Sequence, residues 1–85
     1  MISIDIIIDD GLHKFEAGRC FFENMIELLS KSGIYIIEDI SVKDMYSYKD
    51  YFQCKSDTYA VQFVHLYTPQ RRSGGDNRCI VIQKK

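Results

Sequence analysis

The stretch IDIIIDDGLH, residues 4–13, decides how the rest of the chain is read. An isoleucine-rich run ends in two adjacent carboxylates, Asp9 and Asp10, and a histidine follows at position 13. A run of this kind bounded by Asp-Gly predicts a strand over residues 2–8, buried on both faces as in a parallel sheet. Residues 33–40, GIYIIEDI, repeat the design. A second strand over 34–37 ends in Glu38 and Asp39.

Residues 14–31 lie between the two runs and predict a helix. Phe15, Phe22, Met25, Ile26 and Leu29 fall near one face at three- and four-residue steps, and Phe21 and Leu28 widen the stripe. Ser30-Lys31-Ser32-Gly33 predicts a basic last turn and a glycine stop. Strand, helix and strand within so short a span make a βαβ unit, whose strands run parallel with a right-handed crossover. Parallel strands bring their carboxyl ends to one edge of the sheet, and open α/β sheets bind ligands outside that edge. Asp9, Asp10, Glu38 and Asp39 all sit at such ends.

Downstream, residues 41–58 are polar and tyrosine-rich, which predicts a loop with a short helix. YAVQFVHLY, 59–67, reads as a third strand. TPQRRSGGDN, 68–77, holds the only proline and two adjacent glycines and reads as a turn. RCIVIQ, 78–83, reads as a fourth strand. The connection is too short for a crossover, so strands three and four form an antiparallel hairpin. The fold class is α/β: two parallel strands joined by a helix, plus the hairpin, in one partial domain over residues 1–85.

Composition narrows the function. At 46% hydrophobic and 27% charged, the 85 residues are those of a globular chain. A net charge of −1 gives no support for binding nucleic acid or a membrane surface. No apolar stretch approaches the ~20 residues of a transmembrane helix, and the N-terminus lacks the basic region of a signal peptide. Three cysteines, Cys20, Cys54 and Cys79, stand in no metal-ligand spacing and read as reduced, buried thiols. Together these predict a cytoplasmic location.

Asp10, Glu38 and Asp39 can offer three carboxylate oxygens to one hard cation such as Mg2+. Equally, acids at strand ends solvate them or cap a following helix. His13, three residues after Asp10, has the near-neutral pKa of a general base, or is an exposed or capping residue. His65 stands inside the third strand and reads as structural. Arg71, Arg72 and Gly74-Gly75 precede a strand rather than a helix, so they read as a solvated turn. Tyr46, Tyr48 and Tyr51 either line a pocket or pack a helix on the sheet.

IDIIIDDGLH together with LLSKSGIYIIEDI resembles the carboxyl-terminal half of class I S-adenosylmethionine-dependent methyltransferases. The nearest likeness is to the metal-dependent sugar O-methyltransferases of the macrocin and mycinamicin type. Members carry a strand ending Asp-Asp-Gly-Ser-His, a helix, a glycine turn and a strand ending Ile-Glu-Asp. The likeness spans residues 4–40 and is looser over 59–83, where FVHLY and CIVIQKK resemble the family's terminal antiparallel hairpin. Leu12 replaces the usual serine, and Ser32 stands where the family has glycine.

The resemblance implies a partial Rossmann-like methyltransferase sheet. It makes Asp10, Glu38 and Asp39 the Mg2+ ligands and His13 the base that deprotonates an acceptor hydroxyl, on a small molecule or a sugar. The deprotonated oxygen would then attack the methyl group of S-adenosylmethionine. Asp9 is a possible neighbour of that cofactor. The family's glycine-rich loop has no counterpart here, so the chain corresponds to the catalytic half without the cofactor half, inactive by itself. The first strand would then be an exposed apolar edge, covered in a homodimer or by a missing N-terminal half. The other expectation is a non-catalytic remnant or dimerising module. A phospho-acceptor receiver domain also places acids at strand ends, but it needs a longer chain and a later strand-end lysine.

Overall fold

The computed structural model describes residues 3–10, 14–67 and 76–85. Four strands and two helices follow in the order β1 (Ile4–Asp9), α1 (Phe15–Met25), a 3-10 turn (Ile26–Leu28), β2 (Leu29–Ile37), α2 (Val42–Gln53), β3 (Tyr59–Tyr67) and β4 (Asp76–Lys84). The strands form one mixed sheet in the order β1-β2-β4-β3. β1 and β2 are parallel, with Ile7 opposite Tyr35 and Asp9 opposite Ile37. β4 is antiparallel to both β2 and β3. The expected α/β class, parallel pair and hairpin are therefore all present.

Both crossovers, β1 to β2 and β2 to β3, step across the sheet in the same direction. Crossovers of one hand then lay both helices on one face. That face is the core. Ile7, Tyr35, Ile37, Ile80 and Ile82 point into it, and Phe22, Ile26, Met45, Tyr48 and Phe52 come down from the helices. Phe22 sits at the centre, with ring centroids 5.1 Å from Tyr35, 5.1 Å from Phe52 and 5.5 Å from Tyr59, all edge-on. Edge-to-face pairs of this kind add roughly 0.5–1.5 kcal/mol each beyond area burial.

Several expectations need correction. The first strand is not buried on both faces. Ile7 is 6% exposed, while Ile6 and Ile8 on the other face are 59% and 54% exposed. With both helices on one side, nothing within the described residues covers the other, and β1 is an edge strand as expected. The helix ends at Met25 rather than near residue 31, and Leu29 already has extended backbone (φ −74°, ψ 133°). Gly33 is thus no helix stop but part of the strand. A Cβ there would lie 2.8 Å from the Asp5 carbonyl oxygen and 2.7 Å from Leu29 Cδ1, so only glycine permits the approach of β2 to β1. The pairing is irregular at this point, between Ile4 and Ile6.

The segment 41–58 holds more than a short helix. Ser41 caps α2, its hydroxyl accepting from the Asp44 N–H at 3.1 Å, and the helix runs for 12 residues. Met45, Tyr48 and Phe52 are its buried stripe. Tyr48 therefore packs the helix on the sheet, Tyr51 is half-buried beside it, and Tyr46 is exposed. The hydroxyl of Tyr51 donates to Glu23 Oε2 at 2.5 Å, tying α2 to α1. β4 is longer than expected at both ends. The expected turn at Arg71, Arg72 and Gly74-Gly75 lies outside the described residues.

Candidate functional site

The two acidic strand ends are neighbours. The backbone N–H of Glu38 donates to the carbonyl of Asp9 at 2.8 Å, carrying the parallel ladder one step past the last paired residues. Residues far apart in sequence thus share the carboxyl edge of β1 and β2. Beyond Glu38 the chain turns sharply. Asp39 has φ 55°, in the left-handed region that aspartate tolerates better than most residues. Ile40 then re-enters the core, its N–H donating to the Arg78 carbonyl at 3.1 Å, and Ser41 starts α2. Asp39 is held in a two-residue bend between a strand and a helix, both anchored.

The four acids differ in setting. Asp10, Glu38 and Asp39 are exposed, whereas Asp9 is 5% exposed. Alternation explains it: Asp9 shares a face with Ile7 and so points under the helices. Burial foremost, then the charge of Asp9, raises the Tyr35 phenol well above its ordinary range. Burial, then Asp9 and then Asp44, pushes Tyr48 up to about 12. The Tyr35 hydroxyl is fully buried and has no hydrogen-bond partner among the described residues. An acid with two phenols beneath the site was missed in the sequence; the signal was the two-residue spacing of Ile7 and Asp9.

An open concavity of ≈ 680 Å³ adjoins the end of β1, lined by Ile8, Asp9, Asp10, Ala17 and Phe21. Glu38 acts on the other side, where burial first and then its charge push up the Cys79 thiol. The three cysteines are free thiols, but they are not buried as expected: Cys20 and Cys54 are exposed and Cys79 is half-buried. A second concavity of ≈ 580 Å³ opens along the first half of β3, at the far end of the sheet from the acids. His65 is exposed on β3 opposite Arg78. His13 lies outside the described residues. Asp10, Glu38 and Asp39 share the edge, yet among the described residues no three such side chains close into a group that could hold a metal ion. No helix among them is long and apolar enough to cross a membrane.

The chain matches no family model, and no curated protein matches it in sequence.

Proposed function

We propose that the chain is the catalytic and metal-binding half of a Mg2+- and S-adenosylmethionine-dependent O-methyltransferase acting on a hydroxyl of a small molecule or sugar. Its sheet would be the carboxyl-terminal part of a Rossmann-like one. The reading is carried by the Glu38–Asp9 backbone hydrogen bond, which sets two doubly acidic strand ends side by side at a ligand-binding edge. The terminal antiparallel hairpin also agrees with the family that the sequence resembles.

The donor set suits a hard divalent ion: Asp10, Glu38 and Asp39 would hold it through carboxylate oxygens. An ion held there would supply Lewis-acid chemistry to a nearby hydroxyl. His13, three residues beyond Asp10, would accept the hydroxyl proton. Asp9 keeps β1 tied to β2 through its carbonyl and so holds the two acidic ends together. The methyl donor is a different matter. The chain has no glycine-rich strand-to-helix turn of the kind that cradles a nucleotide-like cofactor. These residues do not fit S-adenosylmethionine, and its binding falls to another polypeptide segment. A second reading, a non-catalytic remnant or interaction module, is favoured by the exposure of Ile6 and Ile8.

Calorimetric titration with Mg2+, then with S-adenosylmethionine in its presence, tests the proposal. Mg2+ should bind the 85-residue chain, and Asp10→Asn and Glu38→Gln should weaken it by roughly tenfold or more. Metal binding alone is the result expected of a catalytic half without its cofactor half; binding of S-adenosylmethionine as well would contradict the assignment of the cofactor to another segment. No Mg2+ binding, or unchanged affinity in both variants, would overturn the site.

A further inference from the structure

The second concavity, of ≈ 580 Å³, is built around a strand edge. β3 is the outer strand on the side of the sheet opposite β1. The Lys85 N–H donates to the Thr58 carbonyl at 3.1 Å, one step beyond the Tyr59–Lys84 pair. Hydrogen-bonded and non-bonded pairs alternate along an antiparallel ladder. Ala60 and Gln62 therefore turn their N–H and C=O groups to β4, and Tyr59, Val61 and Phe63 turn theirs outward. The Tyr59 N–H donates to the Lys55 carbonyl at 3.0 Å, in agreement with this phase. Outside Val61 and Phe63 there is no further strand among the described residues.

The side chains around this edge carry a charge pattern. Val61 and Phe63 stand opposite the core residues Ile82 and Ile80, so they project on the helix side, whereas Ala60 and Gln62 project on the other. All four line the concavity together with Lys49 and Phe52 of α2, so it wraps the edge rather than lying on one face. Its volume falls in the range of ligand sites. Among the described residues, the charged side chains in the lining are both cations, Lys49 and Lys85. Lys49 Nζ lies 5.8 Å from the Phe63 ring centroid. Neither Asp50 nor Asp57, on α2 and the turn after it, lines the concavity.

We propose that this edge takes an acidic peptide segment as an added strand. The outward N–H and C=O groups select an extended backbone, and the cations select its side chains. A cross-strand partner lies on the same face as the residue it opposes. A carboxylate opposite Phe63 would therefore meet Lys49. An apolar side chain suits the place opposite Val61, in a concavity that Phe52 also lines, and Lys85 suits a second carboxylate at the Tyr59 end. A small organic anion would satisfy the cations but leave the outward amides without acceptors. β3 of a second copy would bring the same cations against these. The edge lies at the far end of the sheet from the acids, and the proposal does not depend on the metal site.

Amide hydrogen exchange of the 15N-labelled chain tests it with a capped peptide, Thr-Glu-Thr-Val-Thr-Glu-Thr, whose pattern reads the same in either direction. The peptide should slow exchange at Val61 and Phe63 and leave Ala60 and Gln62, already bonded to β4, unchanged. Lysine in place of both glutamates of the peptide should weaken binding by roughly three- to tenfold. Lys49→Glu, at an exposed side chain, should narrow or reverse that preference. No slowing at Val61 and Phe63, equal binding of the two peptides, or a preference that Lys49→Glu leaves unchanged overturns the proposal. Slowed exchange at these amides that grows with chain concentration in the absence of peptide overturns it too, and assigns the edge to a second copy.

Discussion

The two faces of this sheet are built from the same residue. Ile37, Ile80 and Ile82 on one face have no exposure at all, while Ile6 and Ile8 on the other are more than half in water. Residue type does not separate them. The separation comes from the path of the chain: two crossovers stepping the same way place α1 and α2 together, so one face is packed and the other left bare. The same alternation splits the adjacent acids, sending Asp9 inward and leaving Asp10 in solvent at the rim.

The largest break in that contrast is expected at Phe22, which packs edge-on against four aromatic rings at the centre of the packed face. Phe22→Ala should cost about 4 kcal/mol by urea denaturation, a large part of the stability of so small a domain. Ile8→Ala should change stability by less than about 0.5 kcal/mol. Equal costs would contradict the two-face description.

Next comes Gly33, where the added methyl of Gly33→Ala meets a backbone carbonyl and cannot be accommodated by side-chain movement. A loss of about 1–3 kcal/mol in the same assay is expected. Tyr35→Phe runs the other way. It removes a buried hydroxyl that has no partner among the described residues, so stability should stay level or rise by about 1 kcal/mol. A clear loss would show that the hydroxyl is bonded.

The smallest effect is at the surface link between the helices. The hydrogen bond from Tyr51 is the main cause that holds the Glu23 carboxyl below its ordinary value of 4.5; slight desolvation opposes it and the charge of Arg19 assists. A depressed carboxyl contributes stability above 4.5 that is lost as pH falls through the lower folded value. Thermal melts should show a small acid-side decline that Tyr51→Phe flattens.

Much of this was legible in the sequence. The isoleucine runs marked β1 and β2, YAVQFVHLY matched β3 residue for residue, and the short connection to β4 implied the hairpin. Adjacent acids after two parallel strands located the shared edge. Other features were not legible locally. Three consecutive isoleucines at 6–8 suggested two-sided burial, because a run cannot say whether a second layer exists. The helical stripe continued through Leu28 and Leu29, so the end of α1 was hidden, and Gly33 looked like a stop when it serves a close strand approach. α2 was obscured by its polar surface, although Ser41 with Asp44 three residues on, and the spacing of Met45, Tyr48 and Phe52, were its signals. The left-handed bend at Asp39 depends on what both flanks are anchored to.

The central claim is that the two acidic strand ends form one cation site. Titration of 15N-labelled chain with Mn2+, a paramagnetic stand-in for Mg2+, reads it most directly. The amides of Asp10, Glu38 and Asp39 should broaden together at the lowest metal concentrations, and excess Mg2+ should reverse the effect. Broadening at one strand end alone, or spread evenly over the surface carboxylates, would contradict it.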